Sequence, residues 1–370
     1  MLLNSSPGGI ALFVLLAKLL FLCPTTVLTV WGAAYVLVTA VWTLPALSSS
    51  LAMFGAVLGY TFCGALFYGG VGFAVSRVLR RCPLLILGCS LGLAEASAAL
   101  LGLVMAPIGI FAVDGSLGYL VAWLSVIGAS TVIGLVASAI AKHGRFAILG
   151  ALSVSFALGQ IPGPPTPTYD GPPIHGIAHN PDPKLKWASP ALADQDFRRL
   201  LEMSDPLGGE GLIVWPEGAV TGTFDLGEAV SKLDSNHLPL LFGMTRYSKD
   251  GSPELRNSAV LVTEDGVQVS DKEMFVPFYE GAVPFVYDND LEPGSRRILV
   301  LPDGTRILPL ICYEVFLPRP WFLLGTEADL IIVLSAEAGL WARFASSLAG
   351  RHARARELEN GVRVIRISDR

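Results

Sequence analysis

Glu217, Lys272 and Cys312 each stand at or just beyond the end of an apolar run, in the segments Trp215-Pro216-Glu217, Asp271-Lys272 and Leu310-Ile311-Cys312-Tyr313-Glu314. A cysteine attacks an acyl carbon as its thiolate, so it needs a base or a cation beside it. A glutamate held in a cleft at a strand end can take that proton and return it. A fixed lysine ammonium can stabilise a tetrahedral oxyanion and depress the thiol pKa. Taken together, the three residue types define covalent acyl chemistry. Singly, each is weak: a strand cysteine is ordinarily inert core, and a lysine near a hairpin ordinarily faces solvent. Glu280, eight residues after Lys272, is a candidate to hold the ammonium or a bound intermediate. Glu314, two residues after Cys312, falls on the cysteine's side of an extended chain.

The elements that must carry these residues follow from composition. The chain has 370 residues, of which 52% are hydrophobic and 15% charged, with a net charge of −5. Its mean hydropathy of +0.56 is too high for one water-soluble globule. Before Gly163 the ionisable side chains are few: Lys18, Arg77, Arg80, Arg81, Glu95, Asp114, Lys142, His143 and Arg145. Apolar stretches at 10–23, 27–47, 51–75, 83–113, 117–141 and 146–161 read as six membrane spans, most reaching the ~20 residues a crossing helix needs. Basic residues in the loops at Arg77–Arg81 and Lys142–Arg145 put those loops in the cytoplasm, so the chain after the last span emerges on the opposite, periplasmic face. Glu95 lies inside the fourth span, where a carboxyl must face the bundle interior or a polar cleft. Cys23, Cys63, Cys82 and Cys89 sit in or beside the spans without histidine at ligand spacing and read as small packing residues. Neither a metal nor another cofactor is expected, and the acidic second half gives no sign of a nucleic-acid partner.

Residues 162–173 are Pro-rich and read as a stiff linker. Beyond them, short apolar runs at 212–215, 238–242, 259–263, 297–301, 308–312, 330–334 and 362–367 read as strands, and 191–203 and 340–358 as helices. Such alternation predicts a layered α/β domain over 174–370, after a membrane part over 1–161.

These segments resemble the nitrilase (carbon–nitrogen hydrolase) superfamily, whose Glu-Lys-Cys triad falls on Glu217, Lys272 and Cys312. More narrowly, Trp215-Pro216-Glu217, Val276-Pro277-Phe278 with Glu280, and Ile311-Cys312-Tyr313-Glu314, behind an N-terminal membrane bundle, are similar to the bacterial apolipoprotein N-acyltransferase family. Lys184-Leu185-Lys186-Trp187, Glu95 and Arg356-Glu357-Leu358-Glu359-Asn360 add weaker matches. The resemblance implies an αββα sandwich, supporting roles for Glu280, Tyr313 and Glu314, and a multi-pass protein of the bacterial inner membrane. It also implies an acyl group passed from membrane phospholipid through a Cys312 thioester to an amine or lipoprotein acceptor. Near the site, Met274, Phe275, Phe278 and Trp341 would line an acyl path.

Two features depart from that family. Ser335-Ala336-Glu337-Ala338-Gly339-Leu340-Trp341 replaces its Asn-Asp-Ala-Trp-Phe-Gly-like loop, and the sequence ends at Ser368-Asp369-Arg370, before the family's last strands and C-terminal membrane helix. The same thioester resolved by water would make an amidase or nitrilase. The conjugal transfer protein TraB represents a similarly built branch, in which a non-enzymatic role in transfer is the third reading. A Cys-His protease lacks support, because neither His237 nor His352 has a suitable context.

Overall fold

A computed structural model describes residues 51–79, 83–100, 118–143, 162–178, 189–207, 211–221, 225–247, 255–275, 291–317, 327–336 and 342–369, with 29, 30, 33, 113, 209 and 280 as isolated positions. The chain divides into two compact units, with the change from one to the other at Thr166 and Pro167.

In the first unit, helices α1 (Leu51–Val78), α2 (Pro83–Leu100) and α3 (Gly118–His143) lie within or over the stretches expected to span at 51–75, 83–113 and 117–141, and residues 101–112 of the second stretch lie outside the described residues. Among the described residues, Gly118–Val136 within α3 is the helical segment long and apolar enough to cross a membrane. The spans expected at 10–23 and 146–161, and nearly all of 27–47, lie outside the described residues. Helix α2 packs against both α1 and α3. The α2–α3 approach is close enough that a Cβ on Gly134 would come within 2.8 Å of the Gly88 Cα, the small-residue contact that lets helices pack without a bulky interface. Phe62, Leu66, Phe73, Trp123 and Leu124 point outward, whereas Glu95 is buried.

The second unit contains two sheets. Strands β1 (Ile174–Gly176), β2 (Leu212–Val214), β3 (Leu240–Tyr247), β4 (Leu255–Thr263) and β5 (Gly266–Asp271) form the first, in that order. Its first three strands run parallel and its last three antiparallel, sharing β3. Strands β6 (Leu299–Val300), β7 (Arg306–Ile311), β8 (Leu330–Ser335) and β9 (Arg363–Ser368) form the second sheet, with β7, β8 and β9 parallel. Side chains alternate across a strand, and this alternation builds the core. Leu212, Val214, Leu241 and Leu261 from the first sheet pack with Ile307, Ile311, Leu330, Ile332 and Leu334 from the second.

The opposite face of the first sheet buries Ile213, Trp215, Phe242 and Val260 under helix α4 (Pro190–Ser204). Pro190 starts that helix, where its missing N–H costs nothing, and Ala193, Phe197, Leu200 and Ser204 make its buried stripe at helical spacing. A short helix α5 (Leu226–Ser231) begins at Asp225, whose side chain accepts from the Glu228 N–H at 2.6 Å. Helix α6 (Ala342–Asn360) packs on β9 and on the 3₁₀ turn Cys312–Phe316. The described layers of the second unit therefore run helix, sheet, sheet, helix.

Candidate active site

The turn carrying Glu217 is fixed from behind by Trp215. Its ring is fully buried, edge-on to Phe197 at 5.7 Å and tilted against Phe242 at 5.8 Å. The indole Nε1 donates to Ser204 Oγ at 3.0 Å, and that hydroxyl donates in turn to the Leu200 carbonyl at 2.7 Å. Truncating a ring packed this way costs about 3–5 kcal/mol. Its anchoring delivers Glu217 to the end of β2.

On the other side of the turn, β3 comes so near that a Cβ on Gly243 would lie 2.5 Å from the Glu217 Cα and 2.7 Å from the Pro216 carbonyl oxygen. Both contacts are with backbone, which cannot swing aside. Gly243→Ala is expected to displace Glu217 and lower activity about tenfold or more, since an ångström of misplacement at a reacting group can cost 10²-fold. Steady-state kinetics of the purified variant check this, and a wild-type rate would show that the turn gives way freely.

Lys272 follows the last residue of β5. Its side chain is wholly buried, with Nζ 3.2 Å from Glu217 Oε1 and 2.6 Å from Glu280 Oε1. Burial works against the ammonium, but the Glu217 and Glu280 carboxylates and Cys312 more than offset it, and the Lys272 pKa stands above the usual lysine range. Glu280 thus pairs with the lysine. Two further donors fix Glu217: Asn257 Nδ2 to Oε1 at 2.8 Å, and the Ala336 N–H to Oε2 at 3.0 Å.

Cys312 stands directly after β7 with φ 51°, a left-handed backbone that a residue with a Cβ adopts only under strain. The strand expected over 308–312 stops at Ile311, and the chain turns into the 3₁₀ segment. Burial first, and then the Glu217 carboxylate, push the Cys312 pKa well above the ordinary thiol value; Lys272 opposes them, while Glu280 and a hydrogen bond to Glu217 reinforce the rise. Lys272 pulls the thiol pKa down, the direction in which an ammonium acts on a thiol. The cation is present, but two carboxylates and the apolar surroundings outweigh it, so the thiol keeps its proton until a base removes it.

Because the chain turns at Cys312, Glu314 does not share a face of an extended strand with it. Its carboxylate reaches back to accept from the Ile311 N–H at 2.8 Å and across to the Glu273 N–H at 2.9 Å and the Met274 N–H at 3.3 Å. Arg296 pairs with the same carboxylate, both side chains being almost fully buried. Glu314 therefore ties the Cys312 turn to the segment that follows Lys272. Breaking a buried pair of this kind by removing one partner costs about 3–5 kcal/mol. Tyr313 is fully buried, its ring 5.9 Å from that of Phe316, and Phe316 lies against the ring of His352 on α6.

The structure thus brings Glu217, Lys272, Glu280 and Cys312 into one cluster and places Glu314 in its support. Asn257, Arg296 and the Ala336 N–H are participants that the sequence did not single out. Of the expected apolar path, Met274 and Phe275 are half-buried, and Phe278 and Trp341 lie outside the described residues. No group of histidine, cysteine, aspartate and glutamate suited to a metal ion occurs among the described residues.

No family model matches the sequence. An apolipoprotein N-acyltransferase of Rhizobium rhizogenes is 29% identical over 288 residues, 69% of this chain and 53% of that protein. Another, of Azotobacter vinelandii, is 30% identical over 223 residues, 53% of this chain and 42% of its own length. Over these stretches the chain is similar in sequence to apolipoprotein N-acyltransferases. In these alignments it spans about half or less of the length of the curated relatives it matches. An amidase of the nitrilase superfamily from Nesterenkonia AN1 superposes with a TM-score of 0.34 at 19% identity, over 55% of this chain and 78% of that one.

Proposed function

We propose that this chain is a multi-pass acyltransferase of the bacterial inner membrane. Residues 1–161 form its membrane part, 162–173 a linker, and 174–370 a periplasmic catalytic part. Cys312 takes an acyl group from a phospholipid as a thioester and hands it to an amine, the class of acceptor that a lipoprotein N-terminus represents. The observation that carries this reading is the buried Lys272 ammonium between Glu217 and Glu280, in the same electrostatic cluster as Cys312.

In the first half-reaction Glu217 removes the Cys312 proton, and the sulfur adds to the ester carbonyl. The carbonyl oxygen becomes negative in the tetrahedral intermediate, beside Lys272. An ammonium has three N–H donors; Glu217 and Glu280 take two, which leaves one for the oxyanion. The C–O bond then breaks, and the departing lysophospholipid alkoxide takes the proton from Glu217. In the second half-reaction the amine gives its proton to Glu217 as nitrogen displaces sulfur, and Cys312 regains a proton. No further reactant is needed.

Incubation of the full chain in detergent with phospholipid vesicles and an amine-bearing lipopeptide tests the reading. Lysophospholipid and N-acylated peptide should appear together in equal amounts. Free fatty acid in place of acylated peptide would make the protein a hydrolase. Turnover of a small soluble amide with no lysophospholipid would overturn the lipid donor.

A further inference from the structure

Asn257 lies on β4 between Arg256 and Ser258, and alternation along the strand turns its side chain away from theirs. Arg256 and Ser258 both meet Asp271, at 3.3 and 2.6 Å, where Arg246 joins them at 2.7 Å. Asn257 instead donates through Nδ2 to Glu217 Oε1 at 2.8 Å, while its main-chain carbonyl accepts from the Lys272 N–H at 2.7 Å. One residue therefore holds the glutamate with its side chain and the lysine with its backbone.

Because an ionised carboxylate only accepts, the donation to Glu217 fixes which end of the amide is nitrogen. The other end, Oδ1, is buried and takes no hydrogen bond among the described residues. An unsatisfied buried acceptor costs free energy that a leucine of similar size would not incur, which argues that the amide is kept for what it does to Glu217.

An ionised carboxylate offers about four lone-pair positions. Lys272 and Asn257 both donate to Oε1, and the Ala336 N–H takes one position on Oε2. We infer that Asn257 is a positioning residue that saturates Glu217 Oε1, so that the Cys312 proton is delivered to the remaining position on Oε2. The S–H bond breaks, an O–H bond forms at Oε2, and the electron pair stays on sulfur for the attack. The inference rests on the proposed reading of Glu217 as the base for Cys312.

Asn257→Asp keeps the shape and exchanges the donor for an acceptor. Asn257→Leu removes the hydrogen bond without adding charge. For the full chain in detergent, two rates are measured across pH: alkylation of Cys312 by iodoacetamide, read on its own peptide by mass spectrometry, and acylation from phosphatidylethanolamine vesicles. Acylation should fall about tenfold or more in either variant at neutral pH, at the low end of what general-base assistance contributes, whereas alkylation, which needs only the thiolate, should shift to higher pH in Asn257→Asp, whose carboxylate joins Glu217 and Glu280, and little in Asn257→Leu. As pH falls, Asn257→Asp should recover relative to the unaltered protein, because the introduced carboxyl then protonates and donates as the amide did; Asn257→Leu should not. Should a variant fail to fold by thermal midpoint, Asn257→Ser, which adds no bulk, takes its place. Unaltered rates and pH profiles in folded variants would overturn the inference. If the unaltered protein is not acylated by vesicles, the lipid-donor reading fails separately, and acylation of Cys312 by a p-nitrophenyl ester, compared between the unaltered protein and the two variants, still decides the role of Asn257.

Discussion

Cys312→Ala is expected to abolish acyl transfer, because no other group in the cluster can form the covalent intermediate. Serine in its place should restore little, since an alcohol is harder to deprotonate and a poorer leaving group than a thiol. Neither change relieves the left-handed backbone at this position, as both residues keep the Cβ that makes φ 51° costly. Their thermal midpoints should therefore stay near that of the unaltered protein, which separates loss of chemistry from loss of fold. Unchanged turnover in Cys312→Ala would remove the thioester mechanism altogether.

Replacing the base or the cation is expected to cost about 10²-fold or more in acylation rate for each of Glu217→Gln and Lys272→Met. The pH dependence separates the two. With its pKa held well above the ordinary thiol value, Cys312 keeps its proton at neutral pH, and its alkylation should lag behind that of a free cysteine and climb further as the solution becomes alkaline. Lys272 is the group that pulls the thiol pKa down, so Lys272→Met should push alkylation to still higher pH. Glu217→Gln removes a carboxylate that raises the thiol pKa, and should move alkylation to lower pH even while acylation falls. Opposite shifts of one cysteine by its two partners, followed by iodoacetamide labelling, are the expected pattern; shifts in the same direction would contradict the assignment of roles. Lys272→Met should also destabilise the fold, because it leaves Glu217 and Glu280 facing each other in a buried site. The folded-state pKa of Lys272 is raised, so its contribution is complete below the unfolded lysine value of about 10.4 and is lost only as pH rises beyond it.

Much of this site is legible because Glu217 and Cys312 each stand at the end of an apolar run, and apolar runs are the strongest local signal in a sequence. What escaped notice was polar and mid-strand. Arg256, Asn257 and Ser258 are polar and extend no apolar run, so the expected strand begins at 259 while β4 begins at Leu255, and the residue that grips Glu217 falls outside it. Strand β5 was missed because only Val267 and Val269 mark its alternation, in a short segment after the Glu264-Asp265-Gly266 turn. The lysine is therefore picked out by residue type and resemblance, without the strand that positions it. Cys312 was placed in a strand because apolar periodicity says nothing of where φ changes sign, and that error also turned Glu314 toward the wrong partners. Arg296 and the Ala336 N–H could not be found from spacing, since sequence separations of 18 and 119 residues join them to Glu314 and Glu217 and only the packing of the two sheets brings them near.

Intact-mass spectrometry of the purified full chain after incubation with phospholipid vesicles, with no acceptor present, tests the central claim most directly. The expected result is the added mass of one fatty acyl group, removed by neutral hydroxylamine, located on the peptide containing Cys312 and absent from Cys312→Ala. A chain that gains no mass, or gains it at another residue, would contradict it.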